Sequence, residues 1–65
     1  MNIILNGEQR EISGTTVADV LAEIGLEKAR VATALNGGFL PAALRRETRL
    51  AAEDTLEVLS AMQGG

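Results

Sequence analysis

Cysteine, histidine, tryptophan and tyrosine are all missing from this sequence, and Phe39 is its one aromatic residue. Without cysteine there is no disulfide, no thiol nucleophile and no thiolate to hold a metal. Without histidine the commonest general base and the commonest metal ligand are gone. Ser13 and Ser60 therefore have no base to activate them, and no catalytic side chain is expected. Positive charge is scarce too. Six Lys and Arg stand against nine Asp and Glu, for a net charge of −3. That balance argues against nucleic acid, which is bound through basic footprints. No apolar run approaches the roughly 20 residues that cross a bilayer. Met1 to Leu5 lacks the basic lead and long apolar core of a signal peptide. A soluble cytoplasmic domain, with no membrane partner, is the expectation. The 65 residues make one domain. At this size about 60% of the unfolded chain's surface is buried, so the core is thin.

What is present is organised by turn signals. Asn6-Gly7 lies between Met1–Asn6 and Glu8–Ile12. Asn-Gly tolerates the positive φ values of a type I′ turn, so these two stretches are expected to form an antiparallel hairpin. Met1, Ile3 and Leu5 then share one face and Ile4 takes the other. Thr16 is placed as a helix N-cap, with Asp19 three residues on as in a capping box. Val17, Val20, Leu21 and Ile24 fall at i, i+3, i+4 and i+7, a single apolar stripe, and Gly25 is a stop. Leu26 to Arg30 is a polar link. Val31 to Leu35 is expected as a third strand, followed by a second Asn-Gly turn at Asn36-Gly37. Gly38 to Leu40 makes a short strand ended by Pro41, which lacks a donor. Residues 42–47 suit an irregular helical turn, 48–50 a short strand, and 51–54 a turn. Thr55 to Ala61 is the last strand, with Leu56 and Val58 facing one way and Glu57 and Leu59 the other.

One helix lying across one face of a mixed, four- to five-stranded sheet satisfies this order, an α+β class. A long crossover separates the first and last strands, so they can lie parallel at the centre. That arrangement is the ubiquitin-like β-grasp. The expected domain is 1–61, with 62–65 as a C-terminal tail.

The tail carries the functional signal. Met62 and Gln63 are uncharged, and the sequence ends on Gly64-Gly65. A side-chain-free dipeptide is the narrowest and most adaptable terminus available. Extended from Met62, it reaches roughly 13 Å past the last strand at about 3.3–3.6 Å per residue. Such a tail passes through a channel that rejects branched residues. A frayed end is the bland alternative.

Asn2 to Glu8 resembles the opening of the sulfur carrier family of thiamine biosynthesis, ThiS, as does Thr16 to Leu21 at the helix start. Val31 to Gly37, followed by Leu40-Pro41, is similar to that family's third-strand segment. Leu56 to Gly65 is the most diagnostic part. Two stretches depart from the family pattern. Residues 42–47 have no aromatic, and the 51–54 turn has no Gly before Asp54. The resemblance implies a carrier and not an enzyme. An ATP-dependent activating enzyme would adenylate the Gly65 carboxylate. A persulfide of a sulfur donor protein would displace AMP, and the resulting thiocarboxylate would supply sulfur at a thiazole synthase. Met62, Gln63 and Gly64 would thread into the partners' sites. No cofactor or metal held by this chain is implied. The alternatives are sulfur carriage to molybdopterin, an amino acid precursor or a tRNA base, a protein modifier joined through Gly65, or an inert interaction module.

Partners must also recognise the folded body. Ile4 and Leu59 are expected on the sheet face away from the helix, adjoining one another if the first and last strands are neighbours; an exposed apolar patch there would mark an interface, with scattered surface hydrophobes as the alternative. Phe39, at the tip of the second turn, is a further candidate, although core packing is expected of it. Arg45, Arg46 and Arg49 read as a solvated face, or as ion partners of Glu47 and Glu53, with steering toward an acidic partner as the alternative.

Overall fold

A computed structural model describes residues 1–60. Its elements in chain order are β1 (Asn2–Leu5), β2 (Glu8–Glu11), α1 (Val17–Glu23), β3 (Val31–Leu35), β4 (Gly38–Leu40), a 3₁₀ turn (Ala42–Leu44) and β5 (Thr55–Ser60). The sheet has five strands in the order β2-β1-β5-β3-β4. β1 and β5 run parallel at its centre, while β1–β2, β3–β4 and β3–β5 are antiparallel. This is the expected β-grasp.

The local devices follow from the sequence. Asn6 and Asn36 both sit at positive φ, 51° and 49°, as type I′ turns require. The helix begins with a complete capping box. Thr16 Oγ1 accepts from the Asp19 amide at 3.1 Å, and Asp19 Oδ2 accepts from the Thr16 amide at 3.1 Å. It ends in a Schellman motif: Gly25 N–H donates to Ala22 and Leu26 N–H donates to Leu21, with Gly25 at φ +81°. The stripe packs as expected. Val17, Val20 and Leu21 are buried against Ile3, Ile12, Leu50, Leu56 and Val58, and Ile24 packs at the margin. Burying each such side chain stabilises the fold by about 1.5–3 kcal/mol, an upper bound because the unfolded chain is already partly collapsed.

Residues 48–50 differ from the expected strand. Only a bridge between Thr16 and Arg49 forms. Thr48 N–H closes the preceding turn onto Leu44, while its carbonyl and the Leu50 N–H pair with Val17 and Thr15. The segment is thus consumed by fastening the start of the helix and has no sheet neighbour.

The 51–54 turn shows what the missing glycine costs. Glu53 adopts φ +70°, a left-handed conformation in which a Cβ is strained by about 1–2 kcal/mol. Its N–H donates to the Asn2 carbonyl at 2.8 Å, and Asp54 Oδ2 accepts from the Ala51 amide at 2.8 Å, so the turn cannot relax. Glu53→Gly removes the strain at some cost in unfolded-chain entropy. The expected net gain is about 0.5–1 kcal/mol, a rise in Tm of about 2–8 °C. An unchanged or lower Tm in a calorimetric melt would overturn it.

The loop before the helix is wrapped by two carboxylates. Glu23 accepts from the Ser13 and Gly14 amides, and Asp19 from the Thr15 and Thr16 amides. The Thr15 and Thr16 amides hold the Asp19 carboxyl below its ordinary value. A lowered folded pKa contributes stability above the unfolded value of about 3.9, lost as pH falls through the folded one. The stability advantage of wild type over Asp19→Asn should therefore be complete near neutral pH and shrink steadily below about pH 4. Denaturant midpoints across that range check it, and a constant difference would refute it.

Candidate functional site

β5 leads to the tail, and its surroundings are built from both flanking strands. On one side β3 pairs with β5 through its last described residue, with Val31 opposite Ser60 and Ala32 opposite Leu59. On the other side β1 reaches only Leu56. Beyond that point the Asn6 side chain takes over. Asn6 Oδ1 accepts from the Val58 amide at 2.8 Å, and Asn6 Nδ2 donates to the Val58 carbonyl at 3.1 Å. Met62, Gln63, Gly64 and Gly65 lie outside the described residues.

The sheet face away from the helix carries the two most exposed of the large apolar side chains among the described residues. Leu59 is 64% exposed and Phe39 is 74% exposed. Phe39 stands opposite Ala34, and Leu59 opposite Ala32, so the two large side chains flank a floor of small ones, with Glu57 at the edge. Phe39 is therefore not a core residue. The β3–β4 register sends it to the outer face, while Gly38 and Leu40 take the inner one. Ile4 lies on the same outer face, half-buried, but does not adjoin Leu59. Its partner on β5 is Thr55, four residues before Leu59, which is roughly 13 Å along the strand.

Arg45 also departs from expectation. Its Nη2 donates to the Val31 carbonyl at 2.7 Å and its Nε to Thr33 Oγ1 at 3.1 Å. Thr33, only 1% exposed, donates its own hydroxyl hydrogen bond to the Leu40 carbonyl at 2.8 Å. Arg45 is thus a clasp tying the 3₁₀ segment to β3, with no described ion pair to Glu47 or Glu53. Arg46 and Arg49 are exposed. A threonine in the middle of an apolar strand was the one sequence signal for this network. The Asn6 contact had none, because an Asn-Gly turn is already explained by backbone geometry.

Among the described residues no group of three or more acidic side chains gathers to hold a metal, and no helix is long and apolar enough to cross a membrane. What the geometry offers is a central strand, β5, held by hydrogen bonds on both sides; in sequence it is followed by Gly64-Gly65. The family model for ThiS matches residues 3–65, through that dipeptide. The chain belongs to the ThiS family. It is 39% identical over 61 residues to the sulfur carrier protein ThiS of Thermus thermophilus, covering 94% of this chain and 95% of that one. The crystal structure of a thiamine biosynthesis protein (ThiS) from Geobacter metallireducens is similar throughout, with a TM-score of 0.84, 29% identity and full coverage of both chains. The solution structure of a thiamine biosynthesis protein from the same organism gives 0.78 at 29% identity, over all of this chain and 88% of that one. The five-stranded sheet with its single helix is thus the fold of solved ThiS structures.

Proposed function

We propose that this protein carries sulfur as a thiocarboxylate on Gly65, for use in the thiazole ring of thiamine. The observation that carries this reading is the ThiS family match that continues through Gly64-Gly65. The names of the Thermus and Geobacter relatives support sulfur carriage and thiamine biosynthesis.

A carboxylate does not accept a sulfur nucleophile directly, because oxide is a poor leaving group. The Gly65 carboxylate oxygen attacks the α-phosphorus of ATP on an activating enzyme, releasing pyrophosphate and forming an acyl adenylate. The terminal sulfur of a donor protein's persulfide attacks the carbonyl carbon and AMP departs, leaving an acyl disulfide. A thiol reductant cleaves the sulfur–sulfur bond. The thiocarboxylate stays on Gly65 and the two thiol sulfurs leave as a disulfide. A thiazole synthase then receives the sulfur. Met62, Gln63 and Gly64 serve as the uncharged lead that brings Gly65 into each partner's site. Leu59 and Phe39 are the folded-body contacts, with Ile4 a separate point on the same face. The proposed setting for activation is the cytoplasm, where ATP is at hand.

The test is the intact mass of the protein from its native host, with fragmentation of the C-terminal peptide. One oxygen replaced by sulfur, located on Gly65, is the expected result; fragmentation separates it from oxidation of Met1 or Met62. A Gly65 that stays unmodified with ATP, the activating enzyme and a persulfide donor would overturn the proposal.

A further inference from the structure

β1 stops two residues too early. It pairs with β5 only at Ile4–Thr55 and Leu5–Leu56, and the Asn6 N–H donates to the Leu56 carbonyl at 3.0 Å before the chain turns away at Gly7. The N–H and C=O of alternate residues on a strand point to the same side, so Val58 and Ser60 present theirs to the side that β1 has just vacated. Antiparallel pairing with β3 uses the other side. Val58 would be left with a bare edge near the end of β5. The Asn6 carboxamide fills it with one donor and one acceptor, at 3.1 and 2.8 Å. The amide stands where the next peptide unit of β1 would stand.

We propose that Asn6 is a positioning residue for the reaction at Gly65. By holding Val58 in the sheet from the β1 side, it fixes the end of β5 from which Gly65 is presented to a partner. This rests on the carrier reading. The left-handed turn alone needs only Asn, Asp or Gly at position 6, whereas the clamp needs a carboxamide. Asp keeps the turn and the acceptor but loses the donor and sets a negative charge against the Val58 carbonyl. Gly keeps the turn and removes the clamp. Small misplacement of a reacting group is amplified in rate, about a hundred-fold for roughly 1 Å.

The experiment is ATP–pyrophosphate exchange by the activating enzyme with wild type, Asn6→Gly and Asn6→Asp, at a temperature where circular dichroism shows each folded. Expected is a fall of about ten- to a hundred-fold in kcat with KM for the carrier within about two-fold, because Leu59 stays paired with Ala32 on β3. A kcat within two-fold of wild type for folded Asn6→Gly would overturn the proposal. A proportional rise in KM at constant kcat would also overturn it, since it would make Asn6 part of docking. Amide hydrogen exchange on wild type is independent of how the variants fold. The Val58 amide should be as protected as the strand amides paired with β3, and exchange at an exposed-peptide rate would refute the clamp. Wild type inactive in the exchange assay would instead bring down the carrier reading, and this proposal with it.

Discussion

Deleting Gly65 should abolish adenylation while leaving stability within about 0.5 kcal/mol of wild type, the range of surface changes away from packed features. The new terminus, Gly64, is still a glycine carboxylate, so the chemistry of the acid is unchanged. What changes is its reach, shorter by about 3.3–3.6 Å. Rate falls about a hundred-fold for roughly 1 Å of misplacement, so a loss of a thousand-fold or more is expected from a full residue. The fold should not notice, because the buried core among the described residues runs from Ile3 to Val58. Pyrophosphate exchange and a thermal melt on the same sample check both halves. A truncated chain that took up AMP within ten-fold of wild type would remove Gly65 from the reaction.

The second large effect separates two leucines three residues apart on β5. Leu56 is fully buried, facing α1 between Leu5 on β1 and Leu35 on β3. Leu56→Ala should cost about 2–5 kcal/mol through lost burial and a cavity. A core of this size supplies only about 3–5 kcal/mol, so the variant should be substantially unfolded at room temperature. Circular dichroism and denaturant titration would show it, and a loss under about 1 kcal/mol would contradict the packing described. Leu59 points the other way and is 64% exposed. Leu59→Asp should leave stability within about 0.5 kcal/mol. It should weaken binding to the activating enzyme by about ten-fold or more, the size expected of an apolar interface anchor. Unchanged affinity would take Leu59 out of the interface and leave Phe39 to be tested alone.

The two predictions draw on different levels of the molecule. The Gly65 prediction starts from the sequence, where the family signal runs through Gly64-Gly65. The division between Leu56 and Leu59 is legible as well, since a strand's side chains alternate. Which residue joins Leu59 is not. Alternation gives the face but not the register between strands, and register places Leu59 beside Ala32, with Phe39 near and Ile4 far.

The sequence by itself determined the two Asn-Gly turns, the capped helix with its apolar stripe, the inward and outward residues of β5, and the family signal at the tail. Each depends on neighbours within about seven residues, where steric and periodic rules act directly. Only the tertiary structure decided the rest. Phe39 turned outward because β4 is an edge strand held in one register against β3. Arg45 became a clasp because the fold brings Val31 and Thr33 within its reach. Residues 48–50 gave up strand pairing because the start of α1 needed their backbone groups. Asn6 acquired its partner 52 residues away only when β1 and β5 were laid side by side. Buried or edge polar groups must find partners wherever the chain path makes them available, and that path is set by the packing of the whole domain.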